Sequence, residues 1–457
     1  MKKIAIVIFT IFTYSLCFAQ IANTIEFLCQ NALSAAENDD YALTKKYFDA
    51  VIAECQKNPD SDLLLNLSED VTDYVILNQA KNNQQEASAT ASLLIQLQLQ
   101  CLNYCANHEF FKSGEEYVNA IHTALVGMGY TLADAGLMQD AEDCLKAGIS
   151  VFSQMNIFTK EYPSGYERLA YFYSKYQEEY DKELRFQYAG FKAAASLYGA
   201  KSELSKQIFS RMCTSYCSDL TFLSFDGTKG SLYDTFDVRI IPYDDLIEVI
   251  GLWTQQINEI TAQYGQETIN TLFPNSLPNI YGEGMMPLNT PLCDSYSKTL
   301  AAIHFSRMDD YECNVNQFLD EITDISELYP YSEGIVTSLR NHNYVNYAIR
   351  LYNTLEQKAV DHQDVIERIR SAAGRTAYAY GFTDKAWSYV KELDATRNPK
   401  AYLNKRSYFD DIMLLAALYA NKREYTEENE ILTLALKQSD SLGNVVPDNI
   451  LRILYNQ

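Results

Sequence analysis

Apolar and small residues recur along the chain at intervals of three and four. In "DIMLLAALYANKREYTEENEILTLALKQS" (residues 411–439), Ala416 and Tyr419 lie one helical turn apart, and Leu432 and Ala435 do the same further on. Between them "NKREY" is polar and short, as a helix–helix connection is. Tyr425 is the last residue of that connection. The pattern predicts a helical hairpin with a small residue where the two backbones come close.

The same intervals recur elsewhere. Gly129, Leu132, Met138, Ala141, Leu145 and Gly148 form one set, and Gly374, Ala377, Thr383, Ala386, Val390 and Leu393 another. Ala302, Phe305, Tyr311 and Phe318 follow suit, as do Ala32, Ala35, Tyr41, Thr44, Phe48 and Val51. A fixed pattern repeated along a chain marks a solenoid, in which each hairpin buries its apolar face on the next. The predicted fold class is therefore all-α, an α-solenoid of helical hairpins with an irregular central insertion.

These windows resemble the tetratricopeptide repeat family, with Gly129, Gly136, Ala141 and Leu145 the fullest match. The segment "GYERLAYFYSKY" (165–176) starts a unit with Tyr166, Leu169, Ala170 and Tyr173, but its second helix is displaced by an insertion. Segments 74–97 and 341–355 look like degenerate units. The family's tryptophan is absent from all of these windows, so the repeat count stays open. The resemblance implies that first helices line a concave face that holds protein or peptide partners. Carried onto this chain, it implies Tyr130 and Asp134, Tyr171 and Lys175, Arg375 and Tyr378, and Asn421 as partner-binding residues.

The centre departs from the pattern. Residues 222–242 carry glycines and alternating apolar positions and read as an excursion or short hairpin. A helix with Trp253 is expected over about 243–266, and a proline-rich irregular loop over 271–294. The expected domains are residues 20–221 as N-terminal repeats, 222–294 as an irregular insertion with one helix, and 295–457 as C-terminal repeats.

Residues 1–19 form a segment of another kind. A basic "MKK" precedes the apolar "IAIVIFTIFTYSL" and then "CFA", which reads as a secretory signal cut after Ala19. A lipid anchor on Cys17 would want a small residue where bulky Leu16 stands. The expected location is therefore exported, periplasmic or secreted, in a Gram-negative bacterium, with no membrane insertion after signal cleavage.

Composition narrows the functions. The net charge is −23 before cleavage, and losing Lys2 and Lys3 makes it more negative. Such a chain repels phosphate backbones and anionic membranes, so nucleic acid is not an expected partner; the charge serves mainly solubility, with attraction of a basic partner as the second reading. Ten prolines and eighteen glycines are few for 457 residues and favour helices. The pairs Cys101/Cys105 and Cys213/Cys217 each share a helix face and could offer two metal ligands, but no histidine pair lies nearby and core packing explains the spacing. No metal or cofactor is expected.

The five histidines form no metalloprotease pair, and no nucleophile elbow or phosphate loop occurs. "DGTKG" (226–230) reads as a polar turn. Adjacent carboxylates such as Asp410 and Asp411 diverge on a helix and cannot act together as acid and base. Thirty-five tyrosines exceed what core packing asks for, and tyrosine serves binding surfaces well. The expectation is an exported, non-catalytic scaffold that binds a protein or peptide. Alternatives are a glycan-binding protein of an outer-membrane uptake system, an accessory part of a signalling system, and an enzyme built on the 222–294 segment.

Overall fold

A computed structural model describes residues 24–57, 73–107, 111–220, 239–273, 292–398 and 402–439, except residues 26, 37, 39 and 75, together with Leu223. The signal-like residues 1–19, "DGTKG" and most of the proline-rich segment lie outside the described residues. All regular structure among the described residues is helical. They fall into two compact units, one within Met1–Cys213 and Thr261–Pro274, the other within Thr214–Ile260 and Asn275–Gln457.

The first unit contains helical residues within 27–36 and 76–82, then α1 (Tyr41–Lys57), α2 (Gln84–Asn107), α3 (Gly114–Asp134) and α4 (Met138–Met155). Next come α5 (Glu161–Phe172), a π-helical turn (Tyr173–Gln177) and α6 (Tyr180–Tyr198). Helices α7 (Glu203–Leu220) and α8 (Tyr243–Tyr264) each contribute to both units, and α9 (Gln266–Leu272) closes the first. The second unit continues with α10 (Leu292–His304), α11 (Met308–Glu321), α12 (Ile325–Asn341), α13 (Val345–Lys358), α14 (Gln363–Ala379), α15 (Thr383–Thr396), α16 (Lys405–Lys422) and α17 (Tyr425–Ser439). Among its described residues, the segment expected to hold one helix carries both α8 and α9. Trp253 of α8 is buried and stacks flat on Tyr216 of α7, with centroids 4.4 Å apart.

Successive helices pair as hairpins: α3 with α4, α5 with α6, α10 with α11, α12 with α13, α14 with α15, and α16 with α17. First helices also touch the first helix of the next hairpin, as α3 with α5, α10 with α12, α12 with α14, and α14 with α16. Within each unit this is solenoid-like stacking. Helix α3 shows how local sequence starts such a hairpin. Ser113 caps it by accepting from Glu116 N at 3.2 Å, and the Glu116 carboxylate accepts in turn from Lys112 N at 2.7 Å. Val118, His122, Leu125, Met128, Leu132 and Ala133 then form its buried stripe.

Five hairpin turns share one backbone device. Leu137 N donates to Leu132 O, Arg307 N to Ala302 O, Tyr344 N to Leu339 O, Phe382 N to Ala377 O and Glu424 N to Tyr419 O, over 2.7–3.0 Å. The residue before each donor is left-handed: Gly136 (φ 80°), Ser306 (59°), Asn343 (64°), Gly381 (81°) and Arg423 (63°). This cap satisfies carbonyls that the helix end would otherwise leave unpaired.

The repeated positions form the cores. Ala32, Ala35, Thr44, Phe48 and Val51 are buried, as are Leu132, Ala141 and Leu145, Ala377, Ala386, Val390 and Leu393, and Ala416, Leu432 and Ala435. A Cβ on Gly129 would stand 2.8 Å from Leu145 Cγ and 3.2 Å from Ala141 O, so the α3–α4 approach requires glycine. Tyr425 departs from the pattern, with 60% of its surface exposed. Its counterpart Tyr311 is covered by Tyr347 of the following hairpin, ring centroids 5.6 Å apart, whereas no described hairpin follows α17.

Two further expectations need adjustment. In 165–176 the displacement is absorbed by the π-turn, which ends on left-handed Glu178 with Glu179 N donating to Tyr173 O, so α5 and α6 still pair. Segment 341–355 belongs to the α12–α13 hairpin, which carries the same turn as the others. Cys213 and Cys217 are both fully buried in α7.

Candidate functional site

Four of the seven predicted residues meet in the first unit. The half-buried Tyr130 on α3 donates its hydroxyl to Arg168 O of α5 at 2.8 Å. Its ring meets Tyr171 edge-on at 5.9 Å and Tyr176 at 6.5 Å. Tyr176 in turn donates to Asp134 Oδ1 at 2.7 Å. Lys175 Nζ lies 5.5 Å from the Tyr171 ring centre and 4.7 Å from that of Tyr176, and donates to the Tyr176 hydroxyl at 3.2 Å. Tyr171 keeps 51% of its surface exposed. One turn before Asp134, Thr131 donates to Asp73 Oδ1 at 2.8 Å, adding a second carboxylate.

Burial pushes the Tyr130 phenol up to about 12, partly countered by the charge of Arg168. Tyr176 is raised, first by burial and then by its bond to Asp134. Lys175 is raised by its contacts with the Tyr176 and Tyr171 hydroxyls. Both the phenols and the ammonium therefore keep their protons at neutral pH.

Tyr176 was not among the predicted residues. On an ordinary helix Lys175 shares a face with Tyr171 and Tyr176 does not; the π-turn, with its wider step, brings both to the cluster. The crowding of aromatics in "YFYSKY" is the only trace of this in the sequence.

In the second unit Tyr378 and Asn421 line one concavity of about 410 Å³ with Met413, Ala416, Ala417, Ala420, Glu428 and Leu432. Tyr378 donates to Ala417 O at 3.3 Å, joining α14 to α16. Alanines on one face of α16 leave this space open. Arg375 is not among the lining residues. It pairs with Asp410 of α16 at 3.0 Å, and Arg406 reaches the same carboxylate at 3.5 Å.

Asp410 and Asp411 diverge as expected. Asp411 is buried and accepts from Ser371 Oγ at 2.6 Å and Tyr402 Oη at 2.7 Å. Burial outweighs those two bonds and raises its pKa to about 6. The buried Glu367 beside it accepts from Leu403 N and Asn404 N, which holds the entry to α16. In the first unit buried His122 packs its ring on Phe152 and donates Nδ1–H to Gly148 O at 2.9 Å. Its pKa is lowered by burial. Among the described residues no three histidine, cysteine or acidic side chains converge as metal ligands. No described helix is long and apolar enough to cross a membrane.

The fold thus defines an all-α protein of stacked helical hairpins. No family model and no curated protein matches the chain. Among solved structures it is similar to a circular tandem repeat protein with novel repeat topology and enhanced subunit contact surfaces. That match has 11% identity and a TM-score of 0.33, over 93% of this chain and 99% of the other. It is also similar to Ton1535 from Thermococcus onnurineus NA1, with 10% identity and a TM-score of 0.25, over 88% and 95% of the two chains.

Proposed function

We propose that the protein is an exported, non-catalytic scaffold of tetratricopeptide-like hairpins that binds a protein or peptide segment along its first helices. The observation that carries this reading is where the candidate side chains lie. Tyr130, Asp134 and Tyr171 line the seam between the first helices α3 and α5, and Tyr378 and Asn421 the seam between α14 and α16. Stacked hairpins hold such side chains on a rigid frame, and affinity follows from surface shape rather than from a reacting group. Tyrosine suits the task, because its ring offers area and its hydroxyl a polar handle at low entropic cost.

Affinity capture from the natural host with the wild-type chain and with a Tyr171→Ala/Asn421→Ala variant tests this. A partner retained by the wild type is then titrated against each variant by calorimetry. The reading expects at least tenfold weaker binding from the double variant, with its far-ultraviolet circular dichroism unchanged. Equal binding by both removes the seam assignment.

A further inference from the structure

Resting on the peptide-binding reading, the first unit's tyrosine cluster also specifies what kind of side chain the partner brings. We propose that Tyr130, Tyr171, Tyr176 and Asp134 form a cation-recognition site that takes an arginine side chain from a basic segment of the partner, with Lys175 as the internal cation it displaces.

Two rings of the cluster already receive a cation, since the Lys175 ammonium lies within 5.5 Å of both the Tyr171 and Tyr176 centres. Ring faces are electron-rich and attract positive charge. The exposed Asp134 carboxylate is held to the cluster by the Tyr176 hydroxyl, and Asp73 is joined one turn away through Thr131. Arg168, whose carbonyl accepts from the Tyr130 hydroxyl, exerts its charge on that phenol. Lysine is a poor permanent occupant. Its ammonium is a flexible, strongly hydrated point charge, and that of Lys175 is exposed to solvent. A guanidinium is planar, weakly hydrated and able to stack on a ring while donating two parallel hydrogen bonds to a carboxylate. It would use Tyr171, half of whose surface is open, and Asp134 together. The chain's net charge of −23 draws a basic segment in from a distance.

The probe is a short acetylated, amidated peptide of alternating glycine and arginine, compared with the same peptide carrying neutral citrulline for arginine. Binding is followed by fluorescence anisotropy at fixed ionic strength, with circular dichroism to confirm that each variant is folded. Lys175→Met removes the internal competitor and should tighten arginine-peptide binding about fivefold. Adding Tyr171→Ala or Asp134→Asn to that variant should lose the gain, and the citrulline peptide should bind neither protein. Citrulline binding as well as arginine, weaker binding by Lys175→Met, or absence of binding to both proteins overturns the proposal. So does a natural partner that needs Tyr171 but survives neutralisation of its arginines, although that result leaves the scaffold reading standing. A partner indifferent to both Tyr171 and Asn421 removes the two together.

Discussion

Gly127 and Gly129 stand two residues apart on α3 and make opposite predictions for the same substitution. A Cβ on Gly127 meets nothing within 4 Å. Gly127→Ala therefore gains only helix propensity, about 1 kcal/mol of stabilisation. A Cβ on Gly129 would press on Leu145 Cγ at 2.8 Å, Leu145 Cδ2 at 3.0 Å and Ala141 O at 3.2 Å. Two of those neighbours cannot swing aside, since one is a branch carbon and one is backbone. Helices α3 and α4 would have to separate, and overpacking of this sort costs about 1–3 kcal/mol. Gly129→Ala should therefore end between neutral and about 2 kcal/mol destabilised, and the two variants should differ by about 1–3 kcal/mol.

Because the chain has two compact units, a single global melt would blend their transitions. Hydrogen exchange of peptides from α3 and α4, across a urea series, reads the first unit directly. A third variant isolates the cause. Leu145→Ala alone should cost about 2–5 kcal/mol as a buried truncation, but clearly less in the Gly129→Ala background, where it relieves the clash. Equal effects of the two glycine variants, or no coupling to Leu145, would refute close helix approach as the reason for glycine at 129.

Other consequences follow from the turns and the buried ionisable groups. Ser306→Gly and Arg423→Gly each relieve a left-handed non-glycine residue and should stabilise the second unit by about 1 kcal/mol in urea unfolding, whereas Gly136→Ala should destabilise the first by a similar amount. Asp411 is raised from 3.8 to about 6 on folding, so its folded form holds the proton more tightly, and stability falls as pH rises through that window. The full loss is about 3 kcal/mol, part of it already incurred by pH 4, so the advantage of Asp411→Asn over the wild type should grow by about 2 kcal/mol between pH 4 and 7; a pH-independent difference contradicts it. His122 has the opposite sign: its folded pKa lies below 6.5, so its contribution is intact above pH 6.5 and lost as pH falls below it. His122→Asn, which keeps a donor for Gly148 O, should flatten the acid side of the first unit's profile.

The hairpin frame was legible because its signal is steric. Small residues at Gly129, Gly374 and Ala416 stand where helices approach, and the intervals between apolar positions survive as buried stripes. The turns were less legible: a left-handed residue announces itself as Gly136 or Gly381 but not as Ser306 or Arg423, where the flanking hydrogen bonds hold the conformation regardless of residue type. The π-turn was hidden for a different reason. A single extra residue looks like a break in period, and only the fold shows that it recruits Tyr176 to the cluster. The pairing of Arg375 was not legible, because helical phase locates a side chain's face but not its partner, and Asp410 lies on a different helix.

That last distinction governs how any binding experiment on this protein is to be weighed. Tyr130 and Tyr378 have hydroxyls bonded to a carbonyl of the next first helix, and Arg375 is tied to Asp410. Substituting them loosens the seam between hairpins as well as changing its surface, so weaker binding by such variants is ambiguous. Tyr171 and Asn421 are exposed, so their removal alters the surface with little effect on packing. A partner that recognises the seam must respond to Tyr171 or Asn421 at unchanged stability, whereas one that responds only to Tyr130, Arg375 or Tyr378 is sensing the spacing of the hairpins.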